Sequence, residues 1–72
     1  MKITYDPEVD AMYIQLVEGN FECRTLRLNE EIAFDIGPEE QLIGIEILDA
    51  TESLGLKPPA TIEIKNVLAK AG

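Results

Sequence analysis

Ile32-Ala33-Phe34-Asp35-Ile36, then Gly37-Pro38-Glu39-Glu40-Gln41-Leu42, then Ile43-Gly44-Ile45-Glu46-Ile47 is the stretch on which the fold turns. Apolar residues recur at every second position on both sides of a Gly-Pro turn. That is the period of a half-buried strand, so the stretch reads as an antiparallel hairpin. Pairing Ile36 with Ile43, Phe34 with Ile45 and Ile32 with Ile47 puts all six on one face, whereas a slip of one residue would set apolar groups against polar ones. The same register places Asp35 beside Gly44 and Ala33 beside Glu46 on the other face. Gly44 costs backbone entropy in mid-strand, but it leaves room for a neighbouring backbone or a large side chain.

Working outward toward the start of the chain, Lys2 to Tyr5 is a short strand with Ile3 and Tyr5 on one side, closed by Asp6-Pro7 because proline has no amide donor and restricts its predecessor. Asp6 is placed to accept amide hydrogen bonds from residues just after Pro7 in an Asx turn, and Asp10 to do the same where the next strand begins. Ala11 to Val17 is that strand, antiparallel to the first, with Met12, Ile14 and Leu16 facing one way and Ala11, Tyr13 and Gln15 the other. A helix capped by Asp6 with Pro7 in its first turn is the competing reading. The β-formers of Tyr13 to Val17 and the turn Glu18-Gly19-Asn20 favour the strand. Phe21 to Leu28 follows as a less regular strand. If Leu26 and Leu28 face the core, Glu22 and Arg24 share their side, with the Arg24 stem lying over apolar surface. Asn29-Glu30 makes the next corner.

Beyond the hairpin the pattern changes. Asp49 or Thr51 can cap a turn of helix that Gly55 stops, with Leu48, Leu54 and Leu56 covering one end of the sheet. Lys57-Pro58-Pro59 forces an extended link, and Thr61-Ile62-Glu63-Ile64-Lys65 alternates again as a strand or a partner-binding arm. Val67 and Leu68 can add one helical turn. The expected fold is α+β: a small antiparallel β-meander of four or five strands with one short helix or helical turn near residues 50–55. Residues 1–72 make one domain, with 57–72 an extended or partner-swapped tail.

Size and charge bound the function. A chain of 72 residues buries only about 60% of the surface its unfolded form exposes, so burial against a partner is useful to it. Fourteen acids oppose six bases for a net charge of −8. The charge is uneven: Met1 to Leu56 carries 13 acids against Lys2, Arg24 and Arg27, near −10, while Lys57 to Gly72 carries Lys57, Lys65 and Lys70 against Glu63, near +2. Such a balance repels phosphate backbones and anionic membranes and favours a basic protein partner. Cys23 is the sole cysteine, which rules out an internal disulfide, and neither a signal peptide nor a membrane-spanning run is legible. A cytoplasmic setting is the expectation.

The absence of histidine, together with the single cysteine, removes the usual zinc sites and every Ser-His or Cys-His nucleophilic pair. Isolated glycines offer no phosphate loop. Cys23 reads as a plain strand thiol, and no catalytic, cofactor-binding or metal-ligating residue is assigned. The carboxylates Asp6, Asp10, Glu46 and Asp49 define an alternative, a hydrolase dependent on a divalent cation, which requires at least three of them to converge on one point. The face carrying Ala11, Tyr13, Ala33, Leu42, Gly44 and Leu48 is less polar than a solvated face should be. It reads either as an interaction surface or as ground covered by Leu54 and Val67-Leu68.

Two motifs, Tyr5-Asp6-Pro7-Glu8-Val9-Asp10-Ala11-Met12-Tyr13-Ile14 and Gly44-Ile45-Glu46-Ile47-Leu48-Asp49-Ala50, resemble those of the domain of unknown function 2283, a family of small uncharacterised prokaryotic proteins. Met12 stands where the family usually has leucine, and Thr51 where its second motif ends in serine. The resemblance covers about residues 1–56 and implies a compact, sheet-based protein with no established activity. It also implies an antitoxin-like or accessory role, since some members are encoded beside small toxin-like proteins. The expected function is therefore a non-enzymatic acidic protein-interaction domain, forming a homodimer and serving a small basic protein. Tyr13, Asp35, Glu46 and Thr61 to Lys65 would carry the contacts. A further alternative is a nucleic-acid-associated regulator acting through a basic partner.

Overall fold

The computed structural model describes residues 1–55. Within them the two-residue period becomes five strands of a single antiparallel sheet. β1 (Lys2–Asp6) and β2 (Ala11–Gln15) form the first hairpin, and β3 (Arg24–Arg27), β4 (Ile32–Ile36) and β5 (Leu42–Ile47) follow. A 3-10 turn at Pro38–Glu40 joins β4 to β5, and a single turn of helix, α1 (Ala50–Ser53), ends the described chain. This is the antiparallel α+β architecture that the alternation calls for, with a very short helix. The strand or arm at 61–65, the tail 57–72, Leu56 and the Val67-Leu68 turn lie outside the described residues.

Across the sheet the order is β1-β2-β5-β4-β3, so the last strand occupies the centre and joins the two hairpins. Its register against β4 is the expected one over most of its length: Ile32 faces Ile47, Ala33 faces Glu46, Phe34 faces Ile45 and Asp35 faces Gly44. The expected pair Ile36 and Ile43 does not form. A bulge shifts the register after Asp35, and Ile36 faces Leu42 instead. The extra residue, Ile43, is only 4% exposed, and its side chain fills the space beside Gly37, where a Cβ would lie 2.7 Å from its Cγ1. Its carbonyl accepts the amide of Leu16 at 2.7 Å. A bulge of this kind re-aims side chains at the end of a ladder, and here it moves Leu42 to the Ile36 side of the strand.

Strand alternation gives the sheet two unlike faces. Ile3, Tyr5, Met12, Ile14, Leu26, Ile32, Phe34, Ile45 and Ile47 share one of them through the pairings of all five strands. α1 lies against this face, where Ala50 packs with Met12 and Ile47, and Ile3, Ile14 and Ile45 surround them. Elsewhere the same face is only partly covered: Phe34, Ile14 and Ile45 are half-buried, and Leu26 is 49% exposed.

Two expectations are corrected at the margins. The irregular strand is shorter than Phe21 to Leu28, and all of β3 is exposed, since it is a sheet edge with no layer above it among the described residues. Leu26 does face Phe34, but neither Leu26 nor Leu28 is buried. Arg24 reaches sideways to an ion pair with Glu40. At the other end Ala50, not the 43% exposed Leu54, makes the contact that closes the sheet.

Truncating the buried centre should cost far more than truncating a turn. Ile47→Ala is expected to destabilise by about 2–4 kcal/mol through lost burial and the residual cavity, and Val9→Ala, at a residue 65% exposed, by under about 0.5 kcal/mol. Urea unfolding followed by circular dichroism measures both.

Candidate functional site

Tyr13, Gly44 and Asp35 stand side by side on β2, β5 and β4, on the face opposite α1. Gly44 lies between Gln15 and Asp35 in register, and Tyr13 is one pair further along beside Glu46. With no side chain at Gly44, the Tyr13 ring lies across the central strand, and its hydroxyl donates to Asp35 Oδ2 at 2.7 Å. The fit is tight enough that a Cβ at Gly44 would sit 2.1 Å from the Tyr13 hydroxyl. Thr25 on β3 donates to the other oxygen, Asp35 Oδ1, at 3.4 Å. Partial burial and the Asp35 carboxylate push the Tyr13 phenol up to about 12.

This arrangement changes the expected role of Tyr13. The ring passes close over Gly44 and its hydroxyl is committed to Asp35, so it braces three strands. Ala33, at 2% exposure, is likewise unavailable as a contact. Leu54, expected to fold over this face, belongs to the segment on the opposite side.

A second cluster gathers at one end of the sheet. Asp6 makes the expected Asx turn, accepting the Glu8 amide at 3.0 Å. Asp10 does not make a local turn. Held at φ 52°, it accepts the Tyr5 hydroxyl at 2.6 Å, the Thr51 hydroxyl at 2.7 Å and the Thr51 amide at 3.2 Å. Its own carbonyl accepts the Ala50 amide at 2.8 Å. The hydrogen bonds from Tyr5 and Thr51 lower the Asp10 carboxyl below its ordinary value. Asp49 holds the N-cap position of α1 in a left-handed conformation, with no side-chain cap bond. The carboxylate serving the start of the helix comes instead from Asp10, 41 residues away in sequence from Thr51.

The carboxylates singled out for a cation are thus dispersed. Asp6 is engaged in its Asx turn and Asp10 with Tyr5 and Thr51, Glu46 is on the Tyr13 face, and no group of three or more potential ligands gathers among the described residues. Beside α1 lies an open cleft of about 480 Å³ lined by Asn29, Glu31, Ile32, Asp49, Glu52 and Ser53. Its walls are fixed from below: Asn29 Oδ1 accepts the amides of Glu31 and Ile32 at 2.9 and 2.8 Å, and Ser53 donates to the Leu48 carbonyl at 2.9 Å. Sequence reading missed Glu31 and Glu52 as neighbours, because only the packing of α1 on the sheet brings them to one place. Among the described residues the Arg24–Glu40 contact is the only ion pair, and no helix is long and apolar enough to cross a membrane.

A family model described as a protein of unknown function, DUF2283, matches residues 2–50, which include every strand together with Tyr5 and Asp10 but stop one residue short of Thr51. No curated protein and no solved structure matches the chain.

Two titrations test these contacts. The raised value of Tyr13 means that its contribution to stability is complete below pH 10, where both folded and unfolded phenols are protonated, and is lost as pH rises toward 12. Unfolding free energies of the native chain and Tyr13→Phe should therefore converge across that window, and Gly44→Ala should return the ultraviolet titration of Tyr13 toward 10. Asp10 has the opposite sign. Its contribution is present above the ordinary carboxyl value of 3.8 and is lost as pH falls through the lowered folded value. Thermal melts of Asp10→Asn should be less sensitive to acid than those of the native chain.

Proposed function

Because the chain belongs to the DUF2283 family, whose description carries no activity, we propose from its own surface that it is a non-enzymatic, acidic protein-interaction domain that receives a basic protein. The observation that carries this reading is an uncompensated negative field. Residues 1–55 hold 13 acids against three bases, with a single ion pair among them. Such a field speeds encounter with a cationic surface and disfavours acidic partners and phosphate backbones.

The cleft beside α1 is the favoured point of contact. Glu31, Asp49 and Glu52 line it, on a corner held by Asn29 and a helix tied down by Asp10. A lysine or arginine entering there meets carboxylates already positioned, which limits the entropy lost on binding. The antitoxin-like or accessory role implied by the family resemblance is one form of this function. The Tyr13 face contributes stiffness to the sheet, and Glu46 adds to the field.

The immobilised full-length chain is expected to retain a basic protein from cells that encode it at low salt and to release it at high salt. With that protein purified, Glu31→Lys combined with Glu52→Lys should weaken binding by roughly tenfold or more. Retention of nothing basic at low salt, or unchanged affinity in the double variant, overturns the proposal.

A further inference from the structure

We propose that residues 56–72 of the same chain cover the apolar face of the sheet in cis, lying over Ile14, Ile45, Phe34 and Leu26. The need for an occupant follows from the architecture. A sheet with one apolar face is stable when a second layer buries it, and among the described residues one helical turn covers only the neighbourhood of Met12 and Ile47. Ile14, Ile45 and Phe34 are left half-buried and Leu26 is 49% exposed.

Position, reach, composition and charge select the occupant. The chain leaves the described structure at Gly55, directly after α1, and α1 already sits on this face through Ala50. Seventeen residues remain, carrying Leu56, Ile62, Ile64, Val67 and Leu68. Extended, they span up to about 55 Å, whereas five strands at roughly 4.8 Å spacing make a sheet about 20 Å wide. Their net charge is near +2 against near −10 for residues 1–55, so the segment is drawn to the sheet. A second copy placed face to face would instead bring two chains of net charge −8 together, which like-charge repulsion opposes. The acidic cleft beside α1 adjoins this face at Ile32, but the contacts that test this assignment are to Ile14, Ile45 and Leu26, so its failure is distinguishable from failure of the basic partner.

Methyl-labelled full-length chain, mixed with an equal amount of unlabelled chain, separates the occupants by nuclear Overhauser effects, with sedimentation giving the mass. The expected result is a monomer with intramolecular contacts from the methyls of Ile62, Ile64 or Leu68 to those of Ile14, Ile45 or Leu26. Contacts from a second chain, whether from its tail or its sheet, overturn the proposal. So does the absence of any contact between the segment and this face. The measurement is made on the native sequence, so it does not depend on a variant that folds.

Discussion

The central position of β5 is the constraint on which the rest of the sheet depends. This strand must pair with β4 on one side and β2 on the other. It carries Gly44 at the point where a side chain would collide with the Tyr13 ring. Because nothing projects there, Tyr13 crosses the strand and its hydroxyl meets Asp35 on β4. One hydrogen bond and one missing Cβ thereby tie the first hairpin to the second. The backbone entropy that glycine costs in a strand is offset by a contact no other residue would permit.

A comparable long-range tie operates at the end of the sheet. Asp10 turns away from its own hairpin to hold Thr51, and the left-handed conformation at position 10 aims it there. A helix of one turn has almost no intrinsic stability. α1 persists because Ala50 is buried against Met12 and Ile47 while Asp10 satisfies the Thr51 amide. The same tie places Glu52 opposite Glu31, so the acidic cleft is a by-product of how the helix is anchored.

Charge and burial thus divide the molecule between them. The carboxylates spread over turns and edges with a single cationic partner among the described residues. The apolar residues gather on one face that a single layer cannot close.

Strand alternation alone determined the hairpin of β4 and β5, including the facing of Phe34 with Ile45 and Asp35 with Gly44, because a slip of one residue would invert every side chain. It also determined the Asx turn at Asp6, the stop at Gly55 and the acidity of the surface, all of which depend on residues close in sequence or on composition. Only the tertiary structure decided that β5 lies beside β2, that Ile43 is a bulge, that Tyr13 serves Asp35 and that Asp10 reaches Thr51. The bulge depends on the space Gly37 leaves for Ile43. The other three join segments tens of residues apart, where geometry of packing, and not any local preference, selects the partner.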